Sequence, residues 1–382
     1  MIKSICAATR EADDARAAVA EITAGLDLEN HLLANSIGII SCFSDFDETG
    51  VLKEICEALP FDCIGATTCL GAVGTEIDQI IFTITVLTSD DCRFEAAMIP
   101  IDNNAKGADS KALSDFLQKN KTMPAMMLSY FPMMTEVSGD MIMASIEKVT
   151  GGVPLFGTAA VDHTMDYSTA KTIYNGVAFR EAAILCAIYG EPHVTYEVAA
   201  LNEDKVRKQK AIITASNGNI LIEVNGKTAL EYLEEIGLTK QELATGLGIV
   251  PLVVDHQDGT KPVARAVFGL TDEGYAFCGG AMPEGATLAI GRVDFEDVLS
   301  TTESSLRPLA DKDSLVLSYS CMARYLSLGA DYSAEAEMMR ETAGGAPYHF
   351  ACSGGEICPL PDADGKLRNF YHNYTNVFCK IN

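Results

Sequence analysis

The chain has 382 residues, which is too long for one compact core and predicts two or three domains. Its hydrophobic content of 48% excludes a disordered protein, and its formal net charge of −25 excludes nucleic acid and anionic membranes as partners. The densest basic segment, residues 205–210, is short and flanked by Glu203 and Asp204. We interpret it as the solvated face of a strand or helix.

The twelve cysteines are spread through apolar strands, which is typical of reduced thiols rather than of a disulfide framework. No apolar run is long enough to span a membrane, and residues 1–7 lead into a polar helical pattern rather than a signal peptide. We therefore expect a cytoplasmic protein with free thiols.

In chain order, the first half alternates short strands and amphipathic helices. Helices are predicted over 13–24, 49–59 and 110–119, with a buried strand over 36–41 and a strand with a small-residue loop over 62–74. Two pairs of segments alternate like antiparallel neighbours, 78–88 with 93–99 and 172–180 with 182–189. We expect the two strands of each pair to be hydrogen-bonded to each other.

The pattern changes after residue 210. An Asn-Gly turn at 217–218 predicts a hairpin over 211–224. The segments that follow are predicted as a helix over 228–235, paired strands over 263–270 and 274–278, a strand over 287–292 and a helix over 295–308. We place a domain boundary between 191 and 203, which gives domains 1–190 and 204–382.

Three segments share one order of elements: an apolar strand with a serine, a helix, and an apolar strand leading to a glycine. They run from Ser41 to Gly65, from Ser129 to Gly157 and from Ser318 to Gly354. Such units form parallel strand pairs, and open α/β sheets bind ligands at the carboxyl ends of their strands. The predicted fold is therefore α/β (α+β mixed), with two packed domains built from repeated strand–helix–strand units and added antiparallel strands.

Sequence motifs in the last third carry a resemblance to a known family. The chain resembles the FIST family at a Ser-Cys-x-x-Arg element (320–324), a Gly-Glu-Ile segment (354–359) and a terminal Phe-His-Asn-x-Thr element (369–375), and more weakly at small-residue turns near 64–68 and 154–160. The resemblance covers the N-terminal and C-terminal FIST domains. It implies an intracellular sensory module of signal transduction that binds small molecules such as amino acids. We expect a stand-alone pair of domains, without the output domains or the F-box attached in other members.

The resemblance and the strand ends together give a set of predicted ligand-binding residues. They are Thr67, Thr68, Ser320, Cys321, Arg324, Gly354, Gly355, Glu356, His372 and Asn373. Arg324 is the residue that could hold a ligand carboxylate bidentately, and the alternative is a structural ion pair with Glu356 or another acid. We predict that Arg324 and Glu356 line one pocket whose ligand is an amino acid or a small carboxylate.

Cys321 leaves a catalytic alternative open. A nearby cation such as Arg324 would lower the pKa of its thiol, and a hydrolase or acyltransferase could then use His372 or His349 as base and Glu356 to orient it. The alternative is that Cys321 is a buried cysteine with a purely structural role. We prefer this alternative and therefore a non-catalytic sensor. A surface for protein partners is a third alternative.

The C-terminal segment 370–375 is predicted as one strand. Alternation would put His372 and Tyr374 on one face, and Asn373 and Thr375 on the other. We predict no metal and no cofactor, because the cysteine spacings are not those of zinc sites and the glycines match neither a phosphate loop nor a dinucleotide fingerprint.

Overall fold

The computed structural model describes residues 1–134, 136–164, 167–241, 250–362 and 364–382, and one order of elements occurs in it three times. Unit 1 contains β1 (Lys3–Thr9), α1 (Ala15–Leu26), α2 (Leu28–His31), β2 (Asn35–Cys42), α3 (Asp45–Glu48), α4 (Val51–Glu57), β3 (Cys63–Thr67), β4 (Gly71–Val73), β5 (Glu76–Asp78) and β6 (Phe82–Ser89). Unit 2 contains β7 (Arg93–Asp102), β8 (Gly107–Ala108), α5 (Ser110–Leu117), β9 (Met126–Phe131), α6 (Gly139–Thr150), β10 (Leu155–Ala159), β11 (Thr172–Tyr174), β12 (Val177–Phe179) and β13 (Ala182–Tyr189).

Unit 3 begins with β14 (Val194–Ala199) and is interrupted by an insert, residues 206–291. The insert contains β15 (Val206–Asn217), β16 (Ile220–Val224), β17 (Lys227–Thr228), α7 (Ala229–Glu235), β18 (Leu252–Asp255), β19 (Val263–Arg265), β20 (Val267–Leu270), β21 (Ala276–Cys278) and β22 (Thr287–Gly291). Unit 3 then continues with α8 (Phe295–Leu306), β23 (Leu315–Cys321), α9 (Met322–Leu328), α10 (Ala334–Ala343), β24 (Tyr348–Ser353), β25 (Glu356–Pro361), β26 (Leu367–His372) and β27 (Asn376–Ile381). Single turns of 3-10 helix cover Glu203–Lys205 and Gly329–Asp331.

The predicted repeat is confirmed, because β2 and β3, β9 and β10, and β23 and β24 are parallel neighbours. In the first two pairs the repeated glycine has a steric reason. A Cβ on Gly65 would lie 1.9 Å from the carbonyl oxygen of Ile40, and one on Gly157 would lie 1.8 Å from that of Ser129. The two strands of each pair can approach this closely only with glycine at that position. The α/β fold class with added antiparallel strands is likewise confirmed.

In each unit the hairpin before the last strand leaves its own sheet and joins another. The three sheets have the orders β1-β6-β2-β3-β11-β12, β26-β25-β10-β9-β13-β7-β8 and β14-β27-β23-β24-β4-β5. Unit 2 therefore extends the sheet of unit 1, unit 3 extends that of unit 2, and unit 1 extends that of unit 3. The three exchanges form a closed cycle, which brings the carboxyl ends of β3, β10 and β24 together.

Buried polar groups on the central strands hydrogen-bond one unit to another inside the core. The hydroxyls of Tyr130 and Tyr319 are hydrogen-bonded at 2.9 Å, and Ser41 Oγ lies 2.9 Å from His349 Nε2. Thr85 Oγ1 is 3.0 Å from the other ring nitrogen of His349, which is fully buried. Both nitrogens of His349 are thus occupied within the core, and burial lowers the pKa of its imidazole to about 3.

Both predicted antiparallel pairs in the first half are wrong. β6 lies between β1 and β2, whereas β7 pairs with β13 and β8 in a different sheet. Similarly, β11 and β12 pair with each other beside β3, and β13 lies between β9 and β7. Alternation correctly located the strands, but short links after β6 and β12 carry the chain from one sheet into another, and alternation carries no information about the partner.

The predicted C-terminal strand 370–375 is also wrong in its extent. β26 ends at His372, Tyr374 adopts a left-handed backbone (φ 59°), and β27 begins at Asn376 in another sheet. The turn breaks the alternation, so the assignment of alternate faces does not hold beyond His372. The hairpin of β15 and β16, the pair of β20 and β21, and the predicted helices are present within a few residues of their expected bounds.

In the part of the chain that the structure describes, no helix is long and apolar enough to cross a membrane. All twelve cysteines are unbridged, and Cys6 alone among them is more than slightly exposed.

Candidate functional site

Glu356 is a buried carboxyl group at the junction of the three units. It is the first residue of β25, and its side chain is inaccessible to solvent. Its Oε2 accepts hydrogen bonds from Thr375 Oγ1 at 2.7 Å and from the Thr375 backbone nitrogen at 3.4 Å, while Oε1 is buried without a hydrogen-bond partner. Burial raises the pKa of Glu356 from 4.5 to about 8, and the hydrogen bonds from Thr375 offset only part of that rise. The group is therefore mostly neutral at pH 7.

Cys321 lies beside this carboxyl group at the end of β23. Its backbone nitrogen donates to the carbonyl oxygen of Thr375 at 2.9 Å. Burial, reinforced by the charge of Glu356, raises the pKa of the Cys321 thiol well above its usual value. The expectation that Arg324 would lower this pKa is wrong, because Arg324 is engaged with a different acid.

Arg324 belongs to a closed hydrogen-bond network on the other side of β23. Its guanidinium donates to Glu335 Oε1, to the carbonyl oxygen of Val298 and to Thr302 Oγ1, each at 2.8 Å. Ser320 Oγ donates to the second oxygen of Glu335 at 2.6 Å. Arg324 and Glu335 are each only 2% exposed, so the arginine forms the structural ion pair of the alternative interpretation, with Glu335 as the acid.

The predicted glycine and threonine residues hold the units together. Gly354 and Gly355 donate their amides to the Ala159 carbonyl oxygen and to Ser353 Oγ, both at 3.0 Å, and a Cβ on Gly355 would lie 1.9 Å from the Tyr371 hydroxyl. Thr67 Oγ1 accepts from the Lys171 amide at 2.9 Å, and Thr68 Oγ1 donates to the Cys352 carbonyl oxygen at 3.0 Å. These groups fix the loops at the strand ends by contacts within the chain.

His372 and Asn373 lie between the units and the insert. Asn373 Oδ1 accepts from the Ala266 amide at 3.3 Å, and its Nδ2 donates to the His372 carbonyl oxygen at 2.8 Å. His372 Nε2 donates to the carbonyl oxygen of Cys358 at 3.1 Å, since a carbonyl can only accept. Burial lowers the pKa of His372 to about 4, so the ring is neutral and its Nδ1 remains an acceptor.

A cavity of about 550 Å³ has His372 and Thr375 in its lining. It lies between β15, β18, β19 and β22 of the insert on one side and β14 with the hairpin of β25 and β26 on the other. Because the chain turns at Tyr374, His372 and Thr375 reach the same cavity although strict alternation would separate them. Thr375 is hydrogen-bonded to Glu356, so the buried carboxyl group lies directly behind the cavity wall.

The mouth of this cavity carries basic side chains. Arg207, Lys208 and Lys261 are exposed lining residues, and within the described residues no carboxylate lies within 4.0 Å of their charged nitrogens. Lys210 also lines the cavity but is paired with Asp255 at 3.3 Å. The sequence alone indicates a solvated face for the basic segment 205–210 and does not predict that this segment borders a cavity. Its density in so acidic a chain is the signal that could have identified it.

A second cavity of about 240 Å³ lies on the other side of β26, with Tyr371 in its wall. Its lining includes methionine and aromatic side chains, among them Met133, Tyr167 and Phe268. Neither cavity brings a histidine to Cys321, since His349 is bound to Ser41 and Thr85 and His372 donates to Cys358. Across residues 1–382, leaving out the undescribed positions, no three His, Cys, Asp or Glu side chains are grouped as metal ligands.

Comparison with known proteins gives the family. The FIST N domain matches residues 36–227 and the FIST C domain matches residues 229–359, so that their junction lies inside the insert and beyond the boundary predicted at 191–203. FIST domains are associated with sensory roles in signal transduction. A crystal structure of a cyanuric acid hydrolase from A. caulinodans is similar over 99% of this chain and 98% of its own, with 8% identity and a TM-score of 0.40. No curated protein was found to match the sequence. The two domain matches together cover most of the sequence, and the chain therefore belongs to the FIST family.

Proposed function

We propose that this protein is a cytoplasmic sensor of signal transduction whose ligand, an amino acid or another small carboxylate, binds in the 550 Å³ cavity. The observation that carries the proposal is the placement of Arg207, Lys208 and Lys261 around one cavity mouth without carboxylate partners among the described residues. In a chain of net charge −25, three cations around one cavity, unpaired among the described residues, favour the binding of an anionic ligand there.

The size and lining of the cavity support a small-molecule ligand. Pockets for such ligands commonly measure about 300–1,000 Å³ and combine apolar walls with a few placed polar groups. Here the buried polar lining residues include His372 and Thr375, and the basic side chains left unpaired among the described residues are at the mouth. Glu197 and Glu203 also border the mouth, and they could receive the ammonium group of an amino acid.

The proposal changes the roles expected from the sequence. The cationic role passes from Arg324, whose donors are used by Glu335, Val298 and Thr302, to the residues of the mouth. His372 keeps its predicted contact with the ligand. Glu356 does not touch the ligand but positions Thr375, whose hydroxyl is hydrogen-bonded to it. Cys321 has no part in catalysis in this proposal, because its thiol is held protonated and has no histidine base beside it.

A thermal-shift screen with amino acids and small carboxylates, followed by calorimetric titration of each compound that binds, tests the proposal. A ligand at one hundred times its Kd should stabilise the folded protein by about 2.7 kcal/mol. Lys208→Glu should weaken binding at least tenfold, since it places a like charge at the mouth.

Lys312→Glu is the matched control, because Lys312 is an exposed lysine away from both cavities. It reproduces the change in net charge and should leave the Kd unchanged. An equal loss of affinity in both variants would show a general charge effect, and a ligand unaffected by Lys208→Glu would place its binding site elsewhere.

A further inference from the structure

The cavity is charged at its mouth and mainly apolar below it, with His372 and Thr375 as buried polar residues in its lining. The bordering charged residues Glu197, Glu203, Arg207, Lys208 and Lys261 are all exposed. The apolar lining residues that lie deeper are half-buried or buried, namely Val198, Leu201, Val206, Val253, Val263 and Leu360. They come from both sides of the cavity: β14, the segment that follows it and β25 in the units, and β15, β18 and β19 in the insert.

A ligand with only polar atoms would leave these walls in contact with water. At about 30 Å³ per water molecule, the cavity has room for many more atoms than a carboxylate group alone contains. Filling the remainder with apolar atoms removes the valine and leucine surfaces from water, and that burial is favourable in proportion to the area covered.

We infer that the ligand is an amphipathic carboxylate: its carboxylate lies at the mouth beside Arg207, Lys208 and Lys261, and an apolar chain or ring extends inward toward His372 and Thr375. This inference rests on the proposed function and narrows its ligand class to carboxylates with an apolar body, including amino acids with apolar side chains. Short polar carboxylates fill only the charged end of the site.

The orientation follows from the cost of burying charge. A carboxylate placed at the His372 end would lose its hydration on entering an enclosed region. The neighbouring Glu356 already resists ionisation there, because burial raises its pKa. At the mouth it keeps part of its hydration and gains up to three cations. The opposite orientation would also leave the apolar body beside exposed charged side chains.

A homologous series of straight-chain carboxylates tests the inference with the intact protein. The Kd should fall by about fourfold for each added methylene until the cavity is full. Methyl esters of the same chains should bind at least tenfold more weakly than the acids, because the charge at the mouth is lost.

Val253→Thr tests the wall directly, since threonine keeps the shape of valine and adds a hydroxyl. It should weaken binding of the longer chains severalfold and leave the shortest ones unchanged. Val177→Thr, at an exposed position of β12, is the control and should change neither. A Kd independent of chain length would overturn the inference while leaving the proposed carboxylate site intact, whereas failure of every carboxylate and amino acid to bind would overturn the proposed function itself.

Discussion

Glu335 and Glu356 are two carboxyl groups buried to nearly the same extent in unit 3, yet their surroundings differ in charge. Glu335 faces Arg324 and also accepts from Ser320 and Asn376. Glu356 accepts from Thr375, and no basic side chain of the described chain lies within 4.0 Å of it. Two equally buried glutamates can therefore have different electrostatic surroundings, depending on whether a cation shares the same enclosure.

The two glutamates also differ in whether their polar groups are already hydrogen-bonded within the protein or remain free to interact with a ligand. Both carboxylate oxygens of Glu335 accept hydrogen bonds and the guanidinium of Arg324 is engaged, so this region stabilises the fold and offers no free group to a ligand. Around Glu356 one oxygen has no partner and the neighbouring Thr375 borders a cavity. Unsatisfied buried groups of this kind are more common at functional sites than in purely structural cores.

The largest effect should come from removing the cation of the first region. Arg324→Ala leaves Glu335 buried without its charge partner and should lower the free energy of unfolding by about 3–5 kcal/mol. Urea denaturation measures this change. Arg93→Ala removes a solvent-exposed pair with Glu95 and should cost less than about 1 kcal/mol. A loss below that value for Arg324→Ala would contradict the assignment of a closed structural network.

The second test concerns the charge of Glu356. Its pKa is higher in the folded protein, about 8, than the ordinary value of 4.5, so the native state holds a proton that the unfolded state releases. Stability should therefore fall as pH rises through this window, by about 1.4 kcal/mol per unit, or about 3 kcal/mol between pH 5 and 7. Glu356→Gln should remove this part of the pH dependence.

Unfolding curves for wild type and Glu356→Gln across pH 5–8 measure the difference directly. Glu341→Gln, at an exposed position, is the matched control substitution and should leave the pH dependence as it is. Parallel curves for wild type and Glu356→Gln would mean that Glu356 is ionised in the native state, and would contradict the raised pKa.

The smallest effect should follow the loss of one hydrogen bond. Thr375→Val removes the hydroxyl that donates to Glu356 Oε2 and should cost about 1 kcal/mol at pH 6, where the carboxyl group is neutral. The cost should rise above pH 8, because hydrogen bonds to a charged acceptor are stronger. Thr195→Val on the exposed face of β14 should change stability little at either pH, and a cost independent of pH for Thr375→Val would indicate a packing effect only.

The sequence was informative wherever the signal was local. Gly65 and Gly157 marked close strand approaches, and the helices between the paired strands had clear apolar periodicity. Pairings between distant segments could not be derived in this way. Nothing local indicates that β6 and β7 enter different sheets, or that the acid facing Arg324 comes from α10 rather than from β25.

The cavity likewise could not be predicted from local sequence, because it is formed by segments that are distant along the chain. Residues 205–210 were recognised as unusually basic, but their function depends on β14, β18 and the hairpin of β25 and β26, which face them only in the folded chain. His372 was predicted from its motif and does line the cavity, whereas Lys261 is isolated in sequence and gave no signal.

The closed cycle of exchanged hairpins has a consequence for the order in which the protein can fold. β10 gains its outer neighbour only from β25, and β23 lies between β24 and β27, so two sheets are incomplete until the last strands have been synthesised. During translation, the polar edge of β10 stays open while some two hundred residues follow it. Contacts this distant in sequence are expected to make folding slow and to leave emerging chains dependent on protection from aggregation.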